Sequence, residues 1–119
     1  MPGCAAYTFM VRSYLPQLRM PFYQTSETDE GGAVNFLTGT GGLLQQFYYG
    51  FSGLRFGVDA IELDPSLPPQ MQGLVLHGLK WQGRTFDMRI ERERSVVTLT
   101  AGAAMPVQTP TGRRTLAPG

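Results

Sequence analysis

At 119 residues with a net charge of +1, the chain can form one ordinary domain with a modest core and nothing larger. Its pI near 7.9, and C-terminal arginines interleaved with Glu91 and Glu93, give no electrostatic reason to expect a nucleic acid or an acidic membrane as partner. The single cysteine, Cys4, excludes an internal disulfide. It has no Cys or His neighbour at ligand spacing, so neither a metal site nor a cofactor is expected, and an ordinary free thiol is the simplest reading.

The first residues, Met1 to Tyr7, show no basic segment followed by a continuous apolar run. No signal peptide is therefore expected, which leaves the compartment open with the cytoplasm slightly preferred. From Tyr7 to Leu18 the apolar residues Tyr7, Met10, Val11, Tyr14, Leu15 and Leu18 recur at helical spacing. This predicts an amphipathic helix that Pro16 ends or kinks a turn early. After Pro21 the pattern dissolves into a polar loop carrying Glu27, Asp29 and Glu30.

Between Glu30 and Arg55 no side chain is charged at neutral pH. Leu43, Phe47, Phe51 and Leu54, flanked by Leu44 and Tyr48, follow helical spacing within this stretch, and the opposite face is Gln45, Gln46, Tyr49, Ser52 and Gly53. A face without charge is rarely a solvated one, so a helix over 43–53 packed on most of its circumference is expected. A membrane span is disfavoured, because the window carries seven glycines together with Asn35, Gln45 and Gln46, and a spanning helix needs about 20 mainly apolar residues.

Beyond Gly53 the period changes from 3.6 to 2, which predicts antiparallel β-structure. The expected strands are 56–63, with Ile61 and Leu63 inward; 73–81; 85–91, with Phe86, Met88 and Ile90 inward; and 95–100. Gln82-Gly83 is a plausible two-residue turn. The Pro, Thr, Gly and Arg content from Met105 onward predicts a disordered tail. Four strands do not complete a sandwich, nor do two helices enclose anything, so an α+β fragment of a larger architecture is expected.

Three runs of residues carry a resemblance. The run Asn35-Phe36-Leu37-Thr38-Gly39-Thr40-Gly41-Gly42-Leu43-Leu44-Gln45-Gln46, then Tyr49 to Arg55 and Leu63-Asp64-Pro65 to Pro68, resembles the C-terminal part of glycoside hydrolase family 65 in its acid-trehalase-like branch. The resemblance spans roughly 20–99. It implies a catalytic (α/α)6 helical barrel followed by a jelly-roll-like β-sandwich, with 1–55 at the C-terminal edge of the barrel, 56–104 in the sandwich and 105–119 as the tail. The chemistry it implies is inverting cleavage of an α-glucosidic bond, with an α-glucosyl disaccharide such as glucosylgalactosyl-hydroxylysine as substrate.

Inversion by water needs a general acid and a general base about 6.5–9.5 Å apart. The hydrolase pattern resembles Pro21-Phe22-Tyr23-Gln24-Thr25-Ser26-Glu27, which makes Glu27 the candidate catalytic base, with Glu30 and Asp29 as alternatives. The His-Gly-Ser-Ser loop of the phosphorylases has no counterpart here. The general acid is implied to lie upstream, so this chain alone is expected to be inactive. Without the resemblance, the three carboxylates read as a solvated acidic cluster, His77 as a surface or structural histidine, Trp81 as core, and Gly39-Thr40-Gly41-Gly42 as a closely packed helix start rather than an anion cradle. A non-catalytic β-module with a structural or carbohydrate-binding role is the alternative.

Overall fold

The computed structural model describes residues 2–119, with side chains from residue 5 onward, so the Cys4 thiol lies outside the described residues. Helix α1 runs Pro2–Tyr14 and tightens into a 3-10 turn at Leu15–Gln17. Pro16 is the cause, since it has no amide hydrogen and disfavours an α conformation at the residue before it. Strands β1 (Leu18–Arg19) and β2 (Gln24–Thr25) then form a short antiparallel ribbon, connected through a cis Met20–Pro21 bond.

The central helix begins earlier than the periodicity predicts. Helix α2 spans Leu37–Gln45 and continues as a π-helical turn over Gln46–Phe51. Gly39, Gly41 and Gly42 are poor helix formers, which hides the start, but the Phe36 ring packs so closely on Gly39 that an added Cβ would lie 2.7 Å from it. Packing on most of the circumference is not met within this chain. Leu44, Tyr48 and Tyr49 are exposed while Phe51 is buried.

Ser52, fully buried, ends the helix by donating its hydroxyl to Tyr48 O and accepting the Leu54 amide hydrogen at 3.0 Å. Gly53 follows with φ +61°, where a Cβ would sit 2.1 Å from Asp64 O. Only glycine fits this junction.

The expected strand 56–63 is instead a hairpin of β3 (Arg55–Phe56) and β4 (Ile61–Glu62). Gly57 turns the chain against Ala60, whose carbonyl accepts its amide hydrogen at 3.0 Å. Strands β5 (Gly73–Trp81), β6 (Arg84–Glu91) and β7 (Ser95–Ala101) form an antiparallel sheet close to the expected bounds. Gln82 and Gly83 both take positive φ in the turn, as a two-residue hairpin of the primed type requires.

The last fifteen residues correct the sequence reading. In place of a disordered tail, β8 (Met105–Thr109) and β9 (Gly112–Leu116) form a hairpin, with Met105 and Val107 buried in the core. Two apolar residues two positions apart suffice, because they land on the inner face of a strand that already has a neighbour. That neighbour is β4, paired parallel to β8 in a sheet of order β3-β4-β8-β9. The arrangement is therefore mixed rather than wholly antiparallel. Parallel neighbours need a long crossover, and here the whole β5-β6-β7 sheet is the crossover. Leu54, Ile61, Leu63, Met105 and Val107 meet Leu76, Leu79, Trp81, Phe86, Met88, Ile90 and Leu99 in one core.

Candidate active site

The three carboxylates lie on the loop between β2 and α2, and its main chain separates their roles. Thr28 and Gly31 exchange backbone hydrogen bonds at 2.9 and 3.2 Å, closing a tight turn with Asp29 and Glu30 exposed at its tip. Glu27 sits at the base of that turn. Its amide hydrogen goes to Ala33 O at 3.0 Å, and the Ala33 amide hydrogen returns to Glu27 Oε2 at 3.2 Å. Gly32, with φ +79°, leaves room for this carboxylate, since a Cβ there would lie 2.7 Å from Oε2. Among the described residues no donor reaches Oε1.

Ser26, buried, anchors the loop: its single hydroxyl hydrogen is shared between Thr28 O at 2.6 Å and Gln17 O at 3.1 Å, and its amide hydrogen goes to Gln17 O at 2.9 Å. Phe36 closes the far end with its amide hydrogen on Thr25 O at 2.7 Å. The result is a cleft of about 370 Å³ between the end of α1, the loop and the start of α2, lined by Tyr14, Gln17, Ser26, Glu27, Phe36 and Gln46 among others. That volume falls in the range of small-ligand sites. Glu27 is its one carboxylate; Asp29 and Glu30 do not line it. A single carboxylate can take a proton from a bound water but cannot also protonate a leaving group on the opposite side of a bond.

Two polar residues here escaped the sequence reading. The Gln17 side-chain oxygen is buried without a hydrogen-bond partner among the described residues, an arrangement that costs about 1–3 kcal/mol while unmet. Arg19 directs its guanidinium at main-chain carbonyls on either side of the loop. Nothing in sequence marks an arginine whose partners are carbonyls, because every residue offers one.

Outside the cleft, His77 is exposed on a bulge of β5, 3.2 Å from Asp87 Oδ2. Asp87 also accepts the Gly78 amide hydrogen at 2.8 Å; that bond, and then His77, hold its carboxyl below the usual aspartate range. Trp81 belongs to the core, its Nε1 donating to Gly57 O at 3.0 Å under the Arg84 guanidinium.

A two-sheet β-unit is thus joined through one buried turn to helices that hold a lone cleft carboxylate. Residues 54–116 match the model of the glycosyl hydrolase family 65 C-terminal domain, and the chain belongs to glycoside hydrolase family 65. It is 42% identical over 113 residues to an acid trehalase of Emericella nidulans, covering 87% of this chain and 11% of that protein. It is 38% identical over 77 residues to the protein-glucosylgalactosylhydroxylysine glucosidase of Dictyostelium discoideum, covering 65% of this chain and 11% of that protein. The fold is similar to that of a putative kojibiose phosphorylase from the human microbiome, with TM-score 0.60 and 16% identity over 76% of this chain and 12% of that one. The chain thus spans about a tenth of the length of these relatives.

Proposed function

We propose that this chain is the C-terminal part of an inverting α-glucosidase, with 1–55 forming the edge of a catalytic (α/α)6 barrel and 56–116 part of the β-sandwich that follows it. Glu27 is the general base, taking a proton from the water that attacks the anomeric carbon of an α-glucosyl disaccharide such as glucosylgalactosyl-hydroxylysine. The observation that carries this reading is the position of Glu27, the one carboxylate of its cleft, beside relatives named as glycosidases. Asp29 and Glu30 are weaker choices because neither lines the cleft, although all three carboxylates are exposed. Hydrolysis is favoured over phosphorolysis because the chain's single histidine, His77, lies in the sheets, far in sequence from the loop.

The test is Glu27→Gln in the full-length enzyme. Loss of a general base lowers kcat by about 10²–10⁴-fold, with circular dichroism unchanged; near-normal turnover would pass the role to Glu30 or Asp29, or end it. The purified 119-residue chain should itself release no glucose, since the cleft offers no acid, and measurable turnover of kojibiose would contradict this. The alternative of a non-catalytic module draws on one observation, that the buried core lies almost wholly in the sheets. Saturable α-glucoside binding by the chain, unaffected by Glu27→Gln, would favour it.

A further inference from the structure

The guanidinium of Arg19 makes hydrogen bonds to the carbonyls of Pro16 at 2.9 Å and Leu18 at 3.4 Å through Nη1. Through Nη2 it reaches the carbonyls of Thr28 at 3.3 Å and Asp29 at 2.5 Å. Three carboxylates lie within eleven residues of it in sequence, yet among the described residues it pairs with none of them. Its charge and donors are spent on joining two stretches of main chain, the turn after α1 and the two residues that directly follow Glu27.

On the other side of Glu27, Ser26 is tied to the same turn through Gln17 O. Glu27 is thus bracketed by two attachments to 16–19, while among the described residues its own carboxylate has a single donor, the Ala33 amide. The direction of the carboxylate is set by the main chain that carries it, and Arg19 fixes that main chain. Only a guanidinium does this. Its N–H groups diverge in one rigid plane and reach carbonyls on both segments, whereas a lysine ammonium has one nitrogen at the end of a flexible stem.

We propose that Arg19 is a positioning residue for Glu27, holding the loop so that the carboxylate addresses the cleft. This rests on the reading of Glu27 as general base. In the full-length enzyme, Arg19→Lys and Arg19→Ala are expected to lower kcat by about 10–100-fold, the loss that follows a misplacement of the order of 1 Å. KM should change less than about threefold, because Arg19 does not line the cleft. Millimolar guanidinium chloride should partly restore kcat to Arg19→Ala but not to Glu27→Gln, and Arg19→Ala/Glu27→Gln should be no slower than Glu27→Gln alone.

A folded Arg19→Lys enzyme with kcat within twofold of wild type, beside an inactive Glu27→Gln, would overturn the positioning role and leave the base assignment standing. An active Glu27→Gln would remove the base itself. Unfolding of both Arg19 variants, seen by circular dichroism, would make Arg19 a stability residue and equally overturn the proposal.

Discussion

Asp87 shows how a single residue couples a backbone irregularity to solution conditions. The bulge between Leu76 and Leu79 pushes His77 and Gly78 out of register, and Gly78 takes φ +67°; Asp87 on the neighbouring strand accepts the amide hydrogen this frees. The Gly78 hydrogen bond and then His77 lower its pKa in the folded chain. A carboxyl with a depressed folded pKa contributes stability above its unfolded pKa, about 3.9, and loses it as pH falls through the folded value. Asp87→Asn should therefore lower Tm at pH 7, and the difference from wild type should close below about pH 4. A Tm difference that stays constant from pH 7 to pH 3 would show that Asp87 carries no such linkage. Burial is legible in sequence where it leaves a local pattern. The motif Pro21 to Glu27 singles out Glu27 only through its resemblance to the family, and the structure adds that Glu27 lines a cleft; Phe86, Met88 and Ile90 are legible through alternation, all three being fully buried. Arg19 and Gln17 left none, because their surroundings are assembled from segments about ten residues apart.

Among the elements, β5, β6 and β7 were readable because each buries one face against the same core, which forces a period of two. Helix α2 was readable in kind but not in extent, since glycines obscured its start and its uncovered face left no constraint to check against. Strands β8 and β9 were hidden for a different reason. Strand β9 stands at the edge of its sheet with Arg113, Arg114 and Thr115 exposed; charged residues on an edge strand discourage pairing with further chains, and the same composition reads as a solvated tail. The anchoring is done by Met105, fully buried, and Val107, nearly so. Met105→Ala should therefore cost about 2–5 kcal/mol, far more than a substitution in a tail, and should be measurable as a lowered urea midpoint. A change below about 0.5 kcal/mol, the usual range at the surface, would restore the view that 105–119 is dispensable.

At the scale of the whole molecule, the two halves of the chain are unequally equipped to stand alone. Of the buried apolar residues, only Met10 and Phe51 precede Leu54; the rest belong to the sheets or their approach. The helical half instead exposes Phe9, Leu15, Met20, Phe22, Leu37 and Leu44, each about half exposed or more. The radius of gyration, 16.5 Å, exceeds the roughly 13.5 Å expected of a compact domain of this length. Each large apolar side chain left in water forgoes about 1.5–3 kcal/mol, and a few of them approach the whole stability of a small domain, about 5–15 kcal/mol. The isolated chain should therefore bind a hydrophobic dye, associate as concentration rises, and exchange the amides of α1 and α2 faster than those of β5 to β7. Joined to the barrel helices that the proposed function supplies, the same residues should lose dye binding and gain protection. A dye-silent monomer with α2 as its slowest-exchanging segment would mean that the helical half needs no further partner, and would remove the physical ground for placing it at the edge of a larger barrel.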